Sequence, residues 1–383
     1  MSFFVLQTTA TKDLQELGQC LWRWQLCGGC TGKTTCFDAR CPWSRAKRQN
    51  AFWDRYKALT AAYMPELTTP RPALRSHADL LALIQLIQTR LQATREQIAQ
   101  CHFGRQRDDE VGTPAILDQH RAMNLAASIL FSLDCGGIYE SADLVEEGSS
   151  SLLWRSAVSA SEFLLEAFPE RPHSTVAPGK EPSEWPVIAA AVSGKEVQKV
   201  LGFDLEATTD LRSHLMLDHR RRVLKIFHCT AMLRETLLVC ESQPTACILP
   251  RRLILEVFDT IHRVLFPSDH ESQALLSSLV AKRGFDKDLL MFESWDHYKH
   301  NDPGLSYPYF GNRLVELYDE LQNPKPRSRL ESWFERKSGA RYMLMATMIG
   351  VFIAVIIGIL GLGISGFQAY VSYQQWKHPV KDS

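Results

Sequence analysis

From Tyr342 to Phe367 the chain runs 26 residues, YMLMATMIGVFIAVIIGILGLGISGF, without one charged side chain. A helix rises about 1.5 Å per residue and the bilayer's hydrocarbon core is about 30 Å thick, so roughly 20 apolar residues cross it. The stretch is long enough to span with some tilt. Lys325, Arg327, Arg329, Arg336, Lys337 and Arg341 precede it, and only Lys377 and Lys381 follow. That bias directs the N-terminal side to the cytosol. Tyr342 at one end and Tyr370, Tyr373 and Trp376 at the other suit the two interfacial aromatic belts. Only a short tail, 368–383, comes after. The expectation is a single-pass, tail-anchored membrane protein with a cytosol-facing body. The length of the span favours endomembranes over the mitochondrial outer membrane.

The body must fold in water. Lys+Arg and Asp+Glu both total 43, so net charge steers the chain toward neither nucleic acid nor acidic partners. An apolar share of 45% is that of a folded protein. The opening MSFFVLQTTATKDLQELG has no basic stretch before its apolar residues, so it does not resemble a secretory signal. In the cytosol the ten cysteines are expected mostly as thiols, without a disulfide framework.

The pattern predicts a mainly α fold, a bundle-like cytosolic body with one C-terminal transmembrane helix. Seven parts are expected. These are a basic Cys/Trp-rich segment, 1–75; a helical subdomain, 76–168; a Pro-rich linker or loop, 169–186; a second helical subdomain, 187–322; a basic juxtamembrane segment, 323–341; the span, 342–367; and the tail. The spacing of Leu80, Leu83, Ile84, Ile87, Leu91 and Ile98 predicts one helix over 76–103, started by Ser76 and Asp79. Thr113-Pro114 opens a second helix, 114–134, and a third covers 151–168. Five prolines in the 18 residues from Pro169 to Pro186 exclude continuous helix there. A long helix is expected over 209–240. Ser268 and Glu271 read as a capping box for a helix over 269–282.

The first 75 residues hold the densest chemistry. Cys27, Cys30, Cys36 and Cys41 form C-x2-C-x5-C-x4-C. Thiolates are good zinc ligands, and Gly28-Gly29 permits the tight turn that a close pair needs. The candidate cofactor is a structural zinc. The alternative is a loop of free or palmitoylated cysteines, since paired zinc sites usually separate their pairs by more. The overlapping GGCTGKTT looks like a phosphate loop but fails on spacing, because Cys27 stands where the first glycine belongs. This segment carries 11 Lys/Arg against 5 Asp/Glu. Beside Trp22, Trp24, Trp43 and Trp53, those bases suit a nucleic-acid- or lipid-surface-binding module, or a solvated face over an aromatic core. No clear nucleic-acid signal accompanies them.

Elsewhere, Asp210, His214 and Asp218 would share a face of the expected 209–240 helix, as a surface cluster or a weak ligand set. His297 and His300 sit in an aromatic loop as possible ligands, with no cysteine near and only Asp296 and Asp302 as neighbouring acids. No nucleophile elbow, H-E-x-x-H or dinucleotide fingerprint appears. A membrane-tethered enzyme with a site assembled from distant residues stays open as an alternative. Within the span Gly350, Ala354 and Gly358 recur every four residues, the spacing at which small residues let helices approach. The expected partners are the lipid bilayer, a protein partner, and a second copy through this helix.

Two stretches, ATTDLRSHLMLDHRRRVLKIFHC (207–229) and 311–380, resemble a set of filamentous-fungal proteins that end in a transmembrane helix. The resemblance covers roughly the second half of the chain. It implies a fungal origin and an anchor, and it brings no activity or catalytic residue. A helical cytosolic body before membrane helices also suggests CorA-type magnesium channels. Those need two spans and a Gly-Met-Asn loop, and this chain has one span and no such triplet.

Overall fold

The computed structural model describes residues 6–65, 72–104, 113–136, 152–170, 185–243, 247–291, 307–323 and 341–377. The chain divides into two units, Met1–Asn323 and Pro324–Ser383. It is mainly helical, as the pattern predicts.

Helices α1 (Thr11–Trp22), α2 (Asn50–Ala62), α3 (His77–Thr89), α4 (Arg95–Gly104), α5 (Ile116–Phe131) and α6 (Ala160–Ala167) build the first part of the larger unit. Ser76 Oγ accepts the Asp79 N–H at 3.2 Å and caps α3. The single helix expected over 76–103 breaks at Arg90–Thr94. The reason is a second capping box. Thr94 Oγ1 accepts the Gln97 N–H, and Gln97 Oε1 accepts the Thr94 N–H at 3.0 Å. The break lets Arg95 turn inward, where its guanidinium donates to the carbonyls of Trp154 and His120 and to Asn124 Oδ1. α5 stops short of the expected 134, because Ser132 takes a left-handed conformation (φ 51°). The helix expected over 151–168 begins only at Ala160, behind a box formed by Ser159 and Glu162.

The second part holds α7 (Trp185–Ala191), α8 (Gly194–Glu196, continued as a π turn to Leu201), α9 (Thr230–Ser242), α10 (Arg251–Asp259, continued as a π turn to Leu265), α11 (His270–Lys282) and α12 (Gly311–Gln322). The cap of α11 is Asp269, which accepts the Ser272 N–H at 2.9 Å, and not Ser268. Cys240 and Cys247 are joined as a disulfide at the end of α9, and the other eight cysteines are free. Buried side chains form one cluster from Leu6 to Leu317.

The helix expected over 209–240 is corrected. Three strands stand before α9: β1 (Asp204–Thr208), β2 (Met216–Asp218) and β3 (Val223–Phe227). They make a sheet of order β1-β3-β2, with β1 parallel and β2 antiparallel to β3. β3 is central, and its VLKIF run is nearly all buried, as suits a strand covered on both faces. The β2–β3 turn is set by Asp218, whose Oδ1 accepts the N–H groups of Arg220 (3.0 Å) and Arg221 (2.9 Å).

The smaller unit contains α13 (Arg341–Lys377). This helix has 37 residues and runs ten residues past the expected end at Phe367. Within it Met348–Gln374 is long and apolar enough to cross a membrane.

Candidate metal centre

The centre is built on α1. Its buried face carries Leu17 and Leu21, and with them the polar side chain of Gln15, only 2% exposed. The helix ends at Arg23, which is left-handed (φ 54°), and the Trp24 N–H returns to the Gly18 carbonyl. This folds the Trp24 ring back onto α1. A Cβ at Gly18 would lie 2.3 Å from Trp24 Cε3, so only glycine admits the ring.

The chain then forms a loop punctuated by cysteines. Cys27 and Cys30 close one turn through the Cys30 N–H to the Cys27 carbonyl (3.3 Å), and the Cys41 N–H closes another on the Asp38 carbonyl (3.0 Å). Gly32 supplies the positive φ (72°) between them. Two buried side chains hold the loop from below. Gln15 Nε2 donates to the carbonyls of Cys30 (2.8 Å) and Lys33 (3.3 Å), and its Oε1 accepts the Gly32 N–H (2.8 Å). Trp43 Nε1 donates to the Lys33 carbonyl at 2.8 Å. Gln15 thus reproduces the backbone pairing that an irregular loop lacks. Nothing in the spacing of the cysteines points to it; an amide on the leucine face of α1 is the available signal.

The four sulfur atoms of Cys27, Cys30, Cys36 and Cys41 all lie within 4.8 Å of one another. Cys27 Sγ and Cys36 Sγ are 3.5 Å apart, and Cys30 Sγ and Cys41 Sγ are 3.8 Å apart. Four thiolates at about 2.3 Å from a tetrahedral zinc would sit roughly 3.8 Å apart, so the donor set has the size and chemistry of a four-thiolate zinc site. The Cys27 N–H points at Cys41 Sγ (3.5 Å), a contact that favours thiolate. Burial pushes the Cys30 thiol up to about 12, with the neighbouring thiols adding to it. At Cys41 burial acts in the same direction but is outweighed by backbone N–H groups of Cys27 and Trp43, and the net shift is downward. A cation would relieve the crowding of four sulfurs. The fifth nearby cysteine, Cys20, is not part of the set: its thiol lies on the Leu81 carbonyl and burial raises it to about 12.

Below the loop Trp22, Trp24, Trp43 and Trp53 form an aromatic cluster, with ring centroids from 4.9 Å (Trp22–Trp24) to 6.3 Å (Trp43–Trp53). All four rings are buried, so none is exposed for base stacking. The cluster is fastened to α9. Trp24 Nε1 donates to Glu235 Oε2 at 2.9 Å, and Arg45 clamps the same carboxylate through Nε (2.9 Å) and Nη2 (3.0 Å). Trp22 Nε1 donates to Thr236 Oγ1 at 3.2 Å. Glu235 carries no sequence mark that separates it from any other glutamate.

The other sequence candidates separate. GGCTGKTT belongs to the thiol loop and leads into a 3-10 turn at Pro42, without the strand and helix that a phosphate loop requires. Asp210, His214 and Asp218 share no helical face. Asp210 caps a 3-10 turn through the Arg212 N–H and the Ser213 hydroxyl, and Asp218 holds the hairpin turn. His214 is a core residue. Its Nδ1 accepts the Phe227 N–H (3.1 Å), which fixes the proton on Nε2, 2.8 Å from Thr260 Oγ1. Burial, with Arg313 nearby, lowers its pKa to about 3. His297 and His300 lie outside the described residues. Gly350, Ala354 and Gly358 recur along α13, where a Cβ on either glycine would meet only open space.

A cavity of about 690 Å³ lies between α4 and α5, lined by Arg95, Glu96, Phe103, Gln119, His120 and Met123. Its cation, Arg95, places Nη1 and Nη2 on Trp154, His120 and Asn124, while its buried Nε has no protein partner. Burial and Arg95 together lower the His120 pKa, leaving a weakly basic imidazole beside it. No family model, curated protein or solved structure matches the chain, so the likeness to fungal proteins carries no part of the functional reading.

Proposed function

We propose that the chain is a tail-anchored membrane protein whose helical body faces the cytosol and works as an interaction module, with its N-terminal part stapled by a structural zinc. The observation that carries the anchor is α13. Its 27-residue span Met348–Gln374 is about 40 Å long at a helical rise and exposes its apolar side chains along its whole length. Water disfavours such a surface, and a bilayer accommodates it. The basic residues on its N-terminal side support the cytosolic orientation, and its length favours endomembranes.

The zinc reading rests on the converging sulfurs and on the scaffold under them. Gln15, Trp43 and the Glu235 clamp support the loop and its base through side-chain hydrogen bonds. A closed four-thiolate site has no open coordination position, so the ion would be structural and not catalytic. A body stapled by such a site supports binding over catalysis.

Carbonate extraction with protease protection of a C-terminally tagged chain tests the anchor. The expected result is a membrane-integrated protein with a protected tag and a digestible body. Release by carbonate would refute it. Proximity labelling with and without α13 tests the interaction role, and an unchanged neighbour set would sink the tethering idea.

A further inference from the structure

The loop that gathers the four thiols ends in an apolar tip that the metal alone does not explain. Phe37, directly after Cys36, is 98% exposed, the most exposed large apolar side chain among the described residues of the larger unit. Around it the exposed residues are small or basic: Gly28, Gly29, Thr31, Gly32, Lys33, Thr34, Ala39 and Arg40. The one acid among them, Asp38, accepts the Arg40 N–H at 2.9 Å and pairs with the Arg40 guanidinium at 3.8 Å; with side chains 44% and 95% exposed the pair is weak and leaves Arg40 open to a headgroup. Here Cys36 and Cys41 pin both sides of the tip, and Gln15 and Trp43 pin its base, so the ring is held outward.

We propose that this tip is a second membrane contact, in which Phe37 enters the headgroup–acyl boundary while Lys33 and Arg40 meet anionic headgroups. The chemistry of the tip selects a lipid surface. A single exposed aromatic flanked by bases has the composition of an interfacial anchor, apolar at the end and positive around it. The same chain carries a membrane-spanning candidate, α13, so the tip works at high effective concentration of bilayer and needs little affinity of its own. A second contact would make the body's docking depend on lipid charge. The proposal rests on the readings of α13 as anchor and of the thiols as a zinc centre.

The full chain, reconstituted in phosphatidylcholine vesicles with or without phosphatidylserine, is irradiated with a photoreactive phospholipid, and its tryptic peptides are analysed by mass spectrometry. Zinc is quantified in the same sample. Cleavage after Lys33 and Arg40 isolates TTCFDAR, residues 34–40. The expected result is lipid adducts on this peptide as well as on α13, stronger with phosphatidylserine and weaker as salt rises. Phe37→Ser should cut the peptide's adducts about tenfold, the partition lost with one buried aromatic side chain, with zinc content unchanged. Lys33→Glu with Arg40→Glu removes both cleavage sites, so the tip is then read on the tryptic peptide from Trp24 to Arg45, and it should abolish the phosphatidylserine preference. Adducts on α13 but none on 34–40 overturn the proposal, and they direct Phe37 to a protein pocket instead. The zinc content states independently whether the metal reading stands or falls, and adducts on α13 do the same for the anchor.

Discussion

Glu235→Ala is the substitution from which the structure expects most outside the hydrophobic core. The carboxylate side chain is 5% exposed and receives three donors, one from Trp24 and two from Arg45. Removing one member of a buried ion pair typically costs about 3–5 kcal/mol, because the other is left uncompensated. Arg45 is 36% exposed and can partly rehydrate, which moves the value to the low end. The Trp24 indole N–H cannot rehydrate, and a stranded buried donor adds about 1–3 kcal/mol. The two contributions overlap, and the expected loss is about 3 kcal/mol. With a urea dependence of about 3 kcal/mol per molar, the midpoint of the tryptophan-fluorescence transition falls by about 1 M. Glu166→Ala is the control. Its pair with Arg155 is 41% and 62% exposed, so its loss should stay below about 1 kcal/mol. If Glu235→Ala is no worse than Glu166→Ala in detergent-solubilised full chain, the clamp does not fasten the tryptophan cluster to α9.

Gly18→Ala should cost about 1–3 kcal/mol by displacing the Trp24 ring, with a changed near-UV spectrum; an unchanged spectrum and midpoint would contradict the close packing. His214 takes up a proton in the unfolded chain below about 6.5 but in the folded chain only near 3, so its share of stability is complete above 6.5 and is lost as pH falls through that window. His214→Gln keeps an acceptor for Phe227 and should flatten the decline of the urea midpoint between neutral and acid pH; an unaltered slope would show that His214 does not contribute. Gly350→Leu and Gly358→Leu should each weaken self-association of α13 in a membrane reporter by holding two backbones apart, and no effect from either would leave the helix as an anchor alone.

What the sequence disclosed was local. The uncharged run of α13 needs no tertiary partner to be recognised, and the Ser76 cap acts within four residues. The four cysteines announce a loop because ligand chemistry is carried by residue type. Contacts across long separations left no such trace. β1 pairs with β3 some nineteen positions away, as Asp204 with Val223. The charged DHRRR between β2 and β3 reads as an exposed helical face when the amide acceptor role of Asp218 is unknown. The box at Thr94 and Gln97 was visible in the sequence, but the continuous leucine spacing across it masked the break. Gln15 and Glu235 are ordinary residues until α1 and α9 bring them under the loop and the indoles. Support for a site is encoded in packing, and packing is non-local.

The most direct test is elemental analysis of the purified full chain, alongside thiol titration. A structural four-thiolate centre predicts about one zinc per chain, its four thiols unreactive until chelation, and loss of the metal in Cys30→Ser and Cys36→Ser. A metal-free protein with Cys27, Cys30, Cys36 and Cys41 open to thiol reagents would contradict it.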